Sequence, residues 1–264
     1  MKPVKTVVLS AWADHGVWRG IIQGIRSYTD KHRPWHLRYT GPLALTDAIR
    51  DWDRVDGLIG HVISPKNLPR SMVARHRVIS TVNDGAGNLP VVCQNDNAIG
   101  RLAAEEFLRR GFRHFGSYVA APFFFAQERN RGFIETLRKA GCRCATHVLN
   151  RSPGSYYRNP QAAFKPALIP WIQSLPKPVA VFTGGDHFAA QFIDACEFAG
   201  VAVPDEAAVI GVDNDEVCCT LAHPSLSSVY TPGRRSATRP PNCCTVRCAA
   251  GRSPQDQFSS NPRA

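Results

Sequence analysis

Ala207-Ala-Val-Ile-Gly-Val-Asp-Asn-Asp-Glu216 is the stretch that decides the fold. Its first six residues form an apolar run of strand length without alternation, which suits a parallel strand buried on both faces. The run stops at Asp213, Asn214 and Asp215, so two carboxylates and an amide stand where the strand would end. Open α/β sheets bind ligands outside the carboxyl ends of their strands. Asp213 is therefore the first candidate for reading a ligand's polar groups.

The same grammar recurs upstream. Val179–Thr183 reads as another buried strand, and Asp186–Ala199, ended by Gly200, as the helix between the two. Before them come a strand at His114–Val119, a helix at Ala126–Ala140 ended by Gly141, a strand at Ala145–Leu149 and a helix within Gln161–Leu175. Asn97 can cap a helix over Ala98–Arg110 that Gly111 ends. An earlier alternating set holds strands at Thr6–Ala11, Trp35–Tyr39, Gly57–Ile63, Val78–Val82 and Leu89–Cys93, with helices at Asp14–His32 and Thr46–Trp52. Two such sets predict an α/β protein of two Rossmann-like lobes with parallel sheets and a cleft between them. The first lobe is expected over 1–95 and the second over 96–231. From 232 to 264 neither period survives, and the segment reads as an aberrant, disordered tail.

Composition excludes several classes. A chain of 264 residues with 44% hydrophobic and 20% charged residues can bury a sizeable core. No run approaches the ~18 apolar residues of a membrane helix. The N-terminus, Met1-Lys-Pro-Val-Lys-Thr-Val-Val-Leu-Ser10, lacks a secretion signal's apolar core and cleavage site. The expectation is a cytoplasmic chain with no membrane partner. The nine cysteines are odd in number and scattered, and without paired Cys-x-x-Cys blocks they predict idle thiols rather than zinc or disulfides. The net charge of +11 invites a nucleic-acid reading. Yet six Arg against Asp256 place +5 beyond Pro232, leaving +6 for residues 1–231. A basic-tail nucleic-acid binder is thus one alternative. No nucleophile elbow, phosphate loop or metalloprotease motif is present, so no enzyme, metal or cofactor is expected.

The candidate site residues lie just past predicted strands: Asp14, Asn83, Asp84, Asp186 and Asp213. Any one could merely cap the next helix, but their repetition at equivalent strand ends favours a shared cleft. Adjacent hydroxyls of a sugar suit a carboxylate, which accepts from two, and an arginine, which donates to two. Trp18 and Phe123–Phe125 could supply an aromatic wall for apolar ring faces.

Several segments in order and spacing carry a resemblance. They are Gln94-Asn-Asp-Asn97 with Gly100-Arg-Leu-Ala-Ala-Glu-Glu-Phe-Leu108, Arg110-Gly-Phe-Arg-His-Phe115, and Glu128-Arg-Asn-Arg-Gly-Phe133. Ser174-Leu-Pro-Lys-Pro-Val179, Val203-Pro-Asp-Glu-Ala-Ala-Val-Ile-Gly-Val-Asp-Asn-Asp215 and Leu226-Ser-Ser-Val229 follow. Residues 1 to about 232 resemble the effector domains of LacI/GalR-type regulators, and among these the xylose-responsive ones. The resemblance implies a type I periplasmic-binding-protein-like fold and a sugar effector, xylose or a related pentose. It implies that Arg129 and Asp213 reach the sugar, with Asp186 and the first-helix aromatic Trp18. Gly185 stands where sugar binders often carry an amide. Asp96 and Asn97 fall at a lobe crossover and, with Thr231, are expected as hinge residues. A sugar-binding protein of transport type shares the fold and is a second alternative. A homodimer is left open.

The xylose-responsive regulators carry an AraC-type DNA-binding domain after the sugar domain, which this chain does not reach. Shifting the reading frame near Thr231–Arg234 lets Gly233 onward be re-read to include Gly-Tyr-Glu-Ala-Ala-Lys-Leu-Leu, and Gln257–Ala264 to give Val-Leu-Ile-Glu-Pro-Ala. Both resemble the continuation of that family. The expectation is a frameshift near residue 232, with DNA reached only through a C-terminal domain absent from this chain. Resequencing the gene through these codons should show the shift and AraC-like coding downstream. An intact frame without such coding overturns it.

Overall fold

The computed structural model describes residues 3–13, 15–32, 34–41, 49, 51–62, 66, 68–75, 77–83, 88–120, 123–149 and 165–231, with backbone alone at 120, 165–167 and 245–248. The described residues divide into two compact units, one up to Gln94 and one from Asn95 to Thr231 together with Thr245–Cys248.

The first unit is built on β1 (Lys5–Ser10), α1 (Gly16–Lys31), β2 (Trp35–Thr40), β3 (Gly57–Gly60), the short α2 (Arg70–Ala74) and β4 (Val78–Ser80). Its four strands are all parallel, in the order β2-β1-β3-β4. After β2 the winding reverses, which puts the topological switch between β1 and β3. Val8, Leu58 and Val78 from β1, β3 and the edge strand β4 pack with Val55, Val62, Leu68 and Met72 in one apolar core.

The second unit runs α3 (Asp96–Arg109), β5 (His114–Ala120), α4 (Phe124–Lys139), β6 (Cys144–Leu149), α5 (Lys165–Ser174), β7 (Val179–Thr183), α6 (Asp186–Ala199), β8 (Ala207–Val212), α7 (Glu216–Leu221), β9 (Ser227–Tyr230) and β10 (Thr245–Cys248). Its sheet order is β10-β9-β8-β7-β5-β6, parallel except for the antiparallel β10 at one edge. Every residue of β7 and β8 is buried. Alternate residues feed two cores: Val179, Val181, Ala207 and Val209 join the α5/α6 side, while Ala180, Phe182, Ala208 and Ile210 join Ile99, Phe107, Phe133 and Leu137 of α3 and α4. This is why both strands are continuous apolar runs rather than alternating ones. The two parallel α/β sheets are the architecture expected of the fold.

Several boundaries differ from the sequence reading, each for a local reason. Leu89–Cys93 is no strand; a single bridge joins Ser80 and Val91. Pro90 contributes its carbonyl to Ser80 N at 2.9 Å but has no N–H to extend a ladder. The cap of α3 is Asn95, whose side chain accepts from Ala98 N at 3.0 Å, so Asn97 lies inside the helix. The expected strand at Gly57–Ile63 ends at Gly60, where its pairing with Ser10 and Ser80 ends. The helix expected at Thr46–Trp52 lies largely outside the described residues, and Trp52–Arg54 forms one 3-10 turn. The tail was expected without order, yet Thr245–Cys248 pairs with β9. Its β-branched Thr-Val pair suits the open edge that β9 would otherwise leave.

Helices α3 and α4 approach backbone to backbone through two glycines. A Cβ on Gly100 would stand 1.8 Å from Arg129 O, and one on Gly132 would stand 2.0 Å from Asn97 O. Neither neighbour is a side chain that could swing away. We expect Gly132→Ala to destabilise the protein by about 1–3 kcal/mol despite alanine's better helix propensity, as measured by urea unfolding. Gly185→Ala, whose Cβ would meet Phe188 Cδ2 at an ordinary 3.5 Å, should cost less.

Candidate functional site

In the second unit, the polar residues collect at the carboxyl ends of β7, β8 and β9. Arg129 projects from α4 and is buried, with 4% of its surface exposed. Its Nε donates to Asp96 Oδ1 at 2.9 Å, Nη1 to Gly184 O at 2.7 Å, and Nη2 to Asp213 Oδ1 at 3.4 Å. The Phe125 ring lies with its centroid 5.0 Å from the guanidinium carbon, in range for a cation–π contact. Burial works against the arginine's charge, but Asp213 and Asp96 outweigh it and hold its pKa above the ordinary value. Burial raises the Asp96 pKa against the pull of Arg129.

Asp213 is the more exposed partner of this pair, its side chain 20% accessible against 5% for Arg129. Its Oδ1 also accepts from Thr231 Oγ1 at 3.1 Å. Oδ2 carries no hydrogen bond among the described residues. Both Asp213 and Asn214 have left-handed backbones, with φ of 97° and 50°. Such conformations cost non-glycine residues roughly 1–3 kcal/mol each, and the surrounding bonds must hold them. Asp215 is buried and caps α7, accepting from Val217 N and Cys218 N at 3.1 and 3.2 Å.

Asp186 is placed differently from the sequence expectation of a residue open to ligand. It is 2% exposed, and its oxygens face inward to Ser228 Oγ and Asp215 N, each at 2.7 Å. Burial, reinforced by the Asp213 charge, drives its pKa well above the usual carboxylate range. Gly184 serves packing: a Cβ there would sit 3.2 Å from Ala126 Cβ. That close approach of α4 lets Arg129 reach the Gly184 carbonyl. Of the aromatic triplet, Phe123 belongs to the core and Phe125 packs against it. Burial pushes the thiols of Cys196 and Cys218 up to about 12, so both stay protonated.

In the first unit, Trp18 lies on α1 and is buried, while Asn83 is exposed beyond β4. Asp14 and Asp84 lie outside the described residues. The structure adds residues that the sequence reading missed. His61 follows β3, is buried, and places its ring 6.2 Å from Trp12 and 6.1 Å from Trp18, centroid to centroid. Its backbone N–H donates to Ser10 O at 2.8 Å. The Ser10 and Thr81 hydroxyls are buried without a hydrogen-bond partner among the described residues. The signal was available, since His61 follows Gly60 at a strand end, but a lone histidine carries little weight in a chain with nine.

A protein-family model described as a periplasmic binding protein-like domain matches residues 104–240, just over half of the chain, and the chain belongs to that family. It is 26% identical over 230 residues to the xylose operon regulatory protein of Haemophilus influenzae, covering 80% of this chain and 56% of that protein. It is 30% identical over 146 residues to the HTH-type transcriptional repressor PurR of Photorhabdus laumondii, covering 53% of this chain and 40% of the repressor. The chain thus spans about half the length of the curated relatives it matches. A periplasmic binding protein/LacI transcriptional regulator from Alkaliphilus metalliredigens, solved with D-xylulofuranose, shares the fold with a TM-score of 0.70 at 17% identity, over 89% of this chain and 87% of that one. The lac repressor dimer bound to operator does so with a TM-score of 0.66 at 16% identity, over 88% and 82%. No helix among the described residues is long and apolar enough to cross a membrane.

Burial, with a smaller contribution from His15, lowers the His61 pKa from 6.5 to about 4. The folded state therefore holds His61 neutral, and its contribution to stability is full above the unfolded pKa near 6.5. It is lost as pH falls from there towards 4. Between pH 7 and 4.5 the wild type should lose about 2–3 kcal/mol more than His61→Gln, measured by urea unfolding at both pH values. Equal losses overturn the assignment.

Proposed function

We propose that this chain is the sugar-sensing effector module of a LacI-type transcriptional regulator, and that it binds its ligand without chemistry. The observation that carries the reading is the Arg129–Asp213 pair: a buried guanidinium joined at 3.4 Å to a half-buried carboxylate whose second oxygen has no hydrogen bond among the described residues. A sugar's adjacent hydroxyls both donate and accept, so they can bond the carboxylate and an arginine together. Trp18 is proposed as an apolar wall and the neutral His61 as a further hydrogen-bonding group. Asp14 and Asn83 remain proposed contacts from the sequence. Asp96, Asn97 and Thr231 are proposed as hinge residues. Support for Asp96 and Thr231 is that each bonds directly to a member of the pair.

Xylose or a related pentose is the proposed effector, supported by the likeness to the Haemophilus xylose operon regulator. The binding energy that differs between two arrangements of the protein is what can shift their populations. The output is proposed to pass to an AraC-type DNA-binding domain, with a frameshift near residue 232 proposed alongside it. A cytoplasmic location follows from the same reading.

Thermal unfolding against a panel of pentoses and hexoses tests the proposal. A sugar present at about 100 times its Kd should stabilise the wild type by about 2.7 kcal/mol. Arg129→Ala and Asp213→Ala should abolish that shift. No stabilisation by any sugar, or an undiminished shift in Asp213→Ala, overturns it.

A further inference from the structure

The turn that presents Asp213 is unusual in how its amides are held. Three consecutive N–H groups each have a specific acceptor. Asp213 N donates to Val229 O at 3.0 Å, Asn214 N to Ser228 Oγ at 2.9 Å, and Asp215 N to Asp186 Oδ2 at 2.7 Å. Ser228 Oγ, having accepted from Asn214, passes its own hydrogen to Asp186 Oδ1 at 2.7 Å. Two of the three amides therefore lead to one carboxylate, one directly and one through a hydroxyl.

The surroundings are shaped for that carboxylate. Asp186 opens α6, a helix of 14 residues, where the helix dipole favours a negative side chain. A Cβ at position 211 would stand 2.2 Å from Asp186 Oδ1, so β8 carries glycine where the carboxylate lies against it. Cys219 of α7 places its sulfur 3.7 Å from Oδ2. Asp186 is thus tied to β8, β9, the β8–α7 turn and α7 at once. With both oxygens engaged inside the protein, it has no oxygen directed at a ligand. Asp213 and Asn214 meanwhile hold left-handed backbones, with φ of 97° and 50°, which the surrounding bonds keep in place.

We propose that Asp186 is a positioning residue for sugar recognition: it does not touch the ligand but holds the Asp213–Asp215 turn so that the Asp213 carboxylate is presented to it. The proposal rests on the reading of Asp213 as a sugar contact, while the brace itself can be tested without any sugar.

The experiment compares the full chain with Asp186→Asn, which keeps the side-chain shape but loses one acceptor and the charge. Amide hydrogen exchange is followed at Asn214 and Asp215, with the amides of Val179–Thr183 as reference. The expected result is exchange at least about tenfold faster at the two turn amides, the size of losing a bond to a buried charged group, with the reference strand unchanged. Wild-type exchange at both turn amides overturns the brace. Sugar affinity is then measured by calorimetry in a cycle with Asp213→Asn. Asp186→Asn should weaken binding about tenfold alone and by less than about threefold when Asp213 is already replaced. Independent, additive losses overturn the positioning role. If Asp186→Asn does not fold, Ser228→Ala cuts the hydroxyl link alone. It should accelerate exchange at Asn214, and unchanged exchange there overturns the relay. A wild type that binds no sugar but shows the exchange result sinks the sugar reading and supports the brace.

Discussion

A buried positive charge organises the second unit. Arg129 loses its water on folding, and an isolated buried guanidinium would be prohibitive. It is tolerated because three nitrogens meet Asp96, the Gly184 carbonyl and Asp213. These partners come from the start of α3, the end of β7 and the end of β8. One charge therefore requires three chain segments to arrive together, and the geometry of the strand ends follows. Such a pair is a weak source of net stability, since desolvation offsets most of the attraction. Its value lies in specifying a geometry, and the placement of Asp213 at the strand end is the result.

Packing makes that geometry reachable. Gly100 and Gly132 allow α3 and α4 to touch backbone to backbone, and Gly184 lets Ala126 approach β7. Without these contacts Arg129, on the same helix as Gly132 and Ala126, would stand too far from Asp96 and Gly184 O. Gly100, Gly132 and Gly184 thus act through absent volume. The first unit follows another logic: aromatic rings enclose a neutral histidine, and buried hydroxyls collect at its strand ends.

Most of the second unit was legible because local and global signals agree there. Asp186–Ala199 and Ala207–Val212 have the bounds read from sequence, since each has an apolar run and a clear stop. Leu89–Cys93 misled because its apolar content hid the missing donor of Pro90. Asn95 and Asn97 offer the same capping chemistry two residues apart, and only the fold of the chain decides which side chain meets Ala98 N.

The sequence by itself determined the two parallel α/β sets and the carboxylates at their strand ends, because hydrophobic period and turn chemistry are local. The family resemblance, rather than any local pattern, singled out Arg129, which lies 84 residues from Asp213 and touches it. Only the tertiary structure decided which carboxylate turns outward. Asp186 and Asp213 look alike in sequence, each an acid just past an apolar strand. Their difference is set by Ser228, 42 residues from Asp186, by Asp215, 29 residues away, and by the space left by Gly211. Those partners engage both oxygens of Asp186, whereas Asp213 keeps its side chain 20% accessible. No local pattern records that difference, because hydrogen-bond satisfaction depends on which distant groups the fold brings within 3 Å.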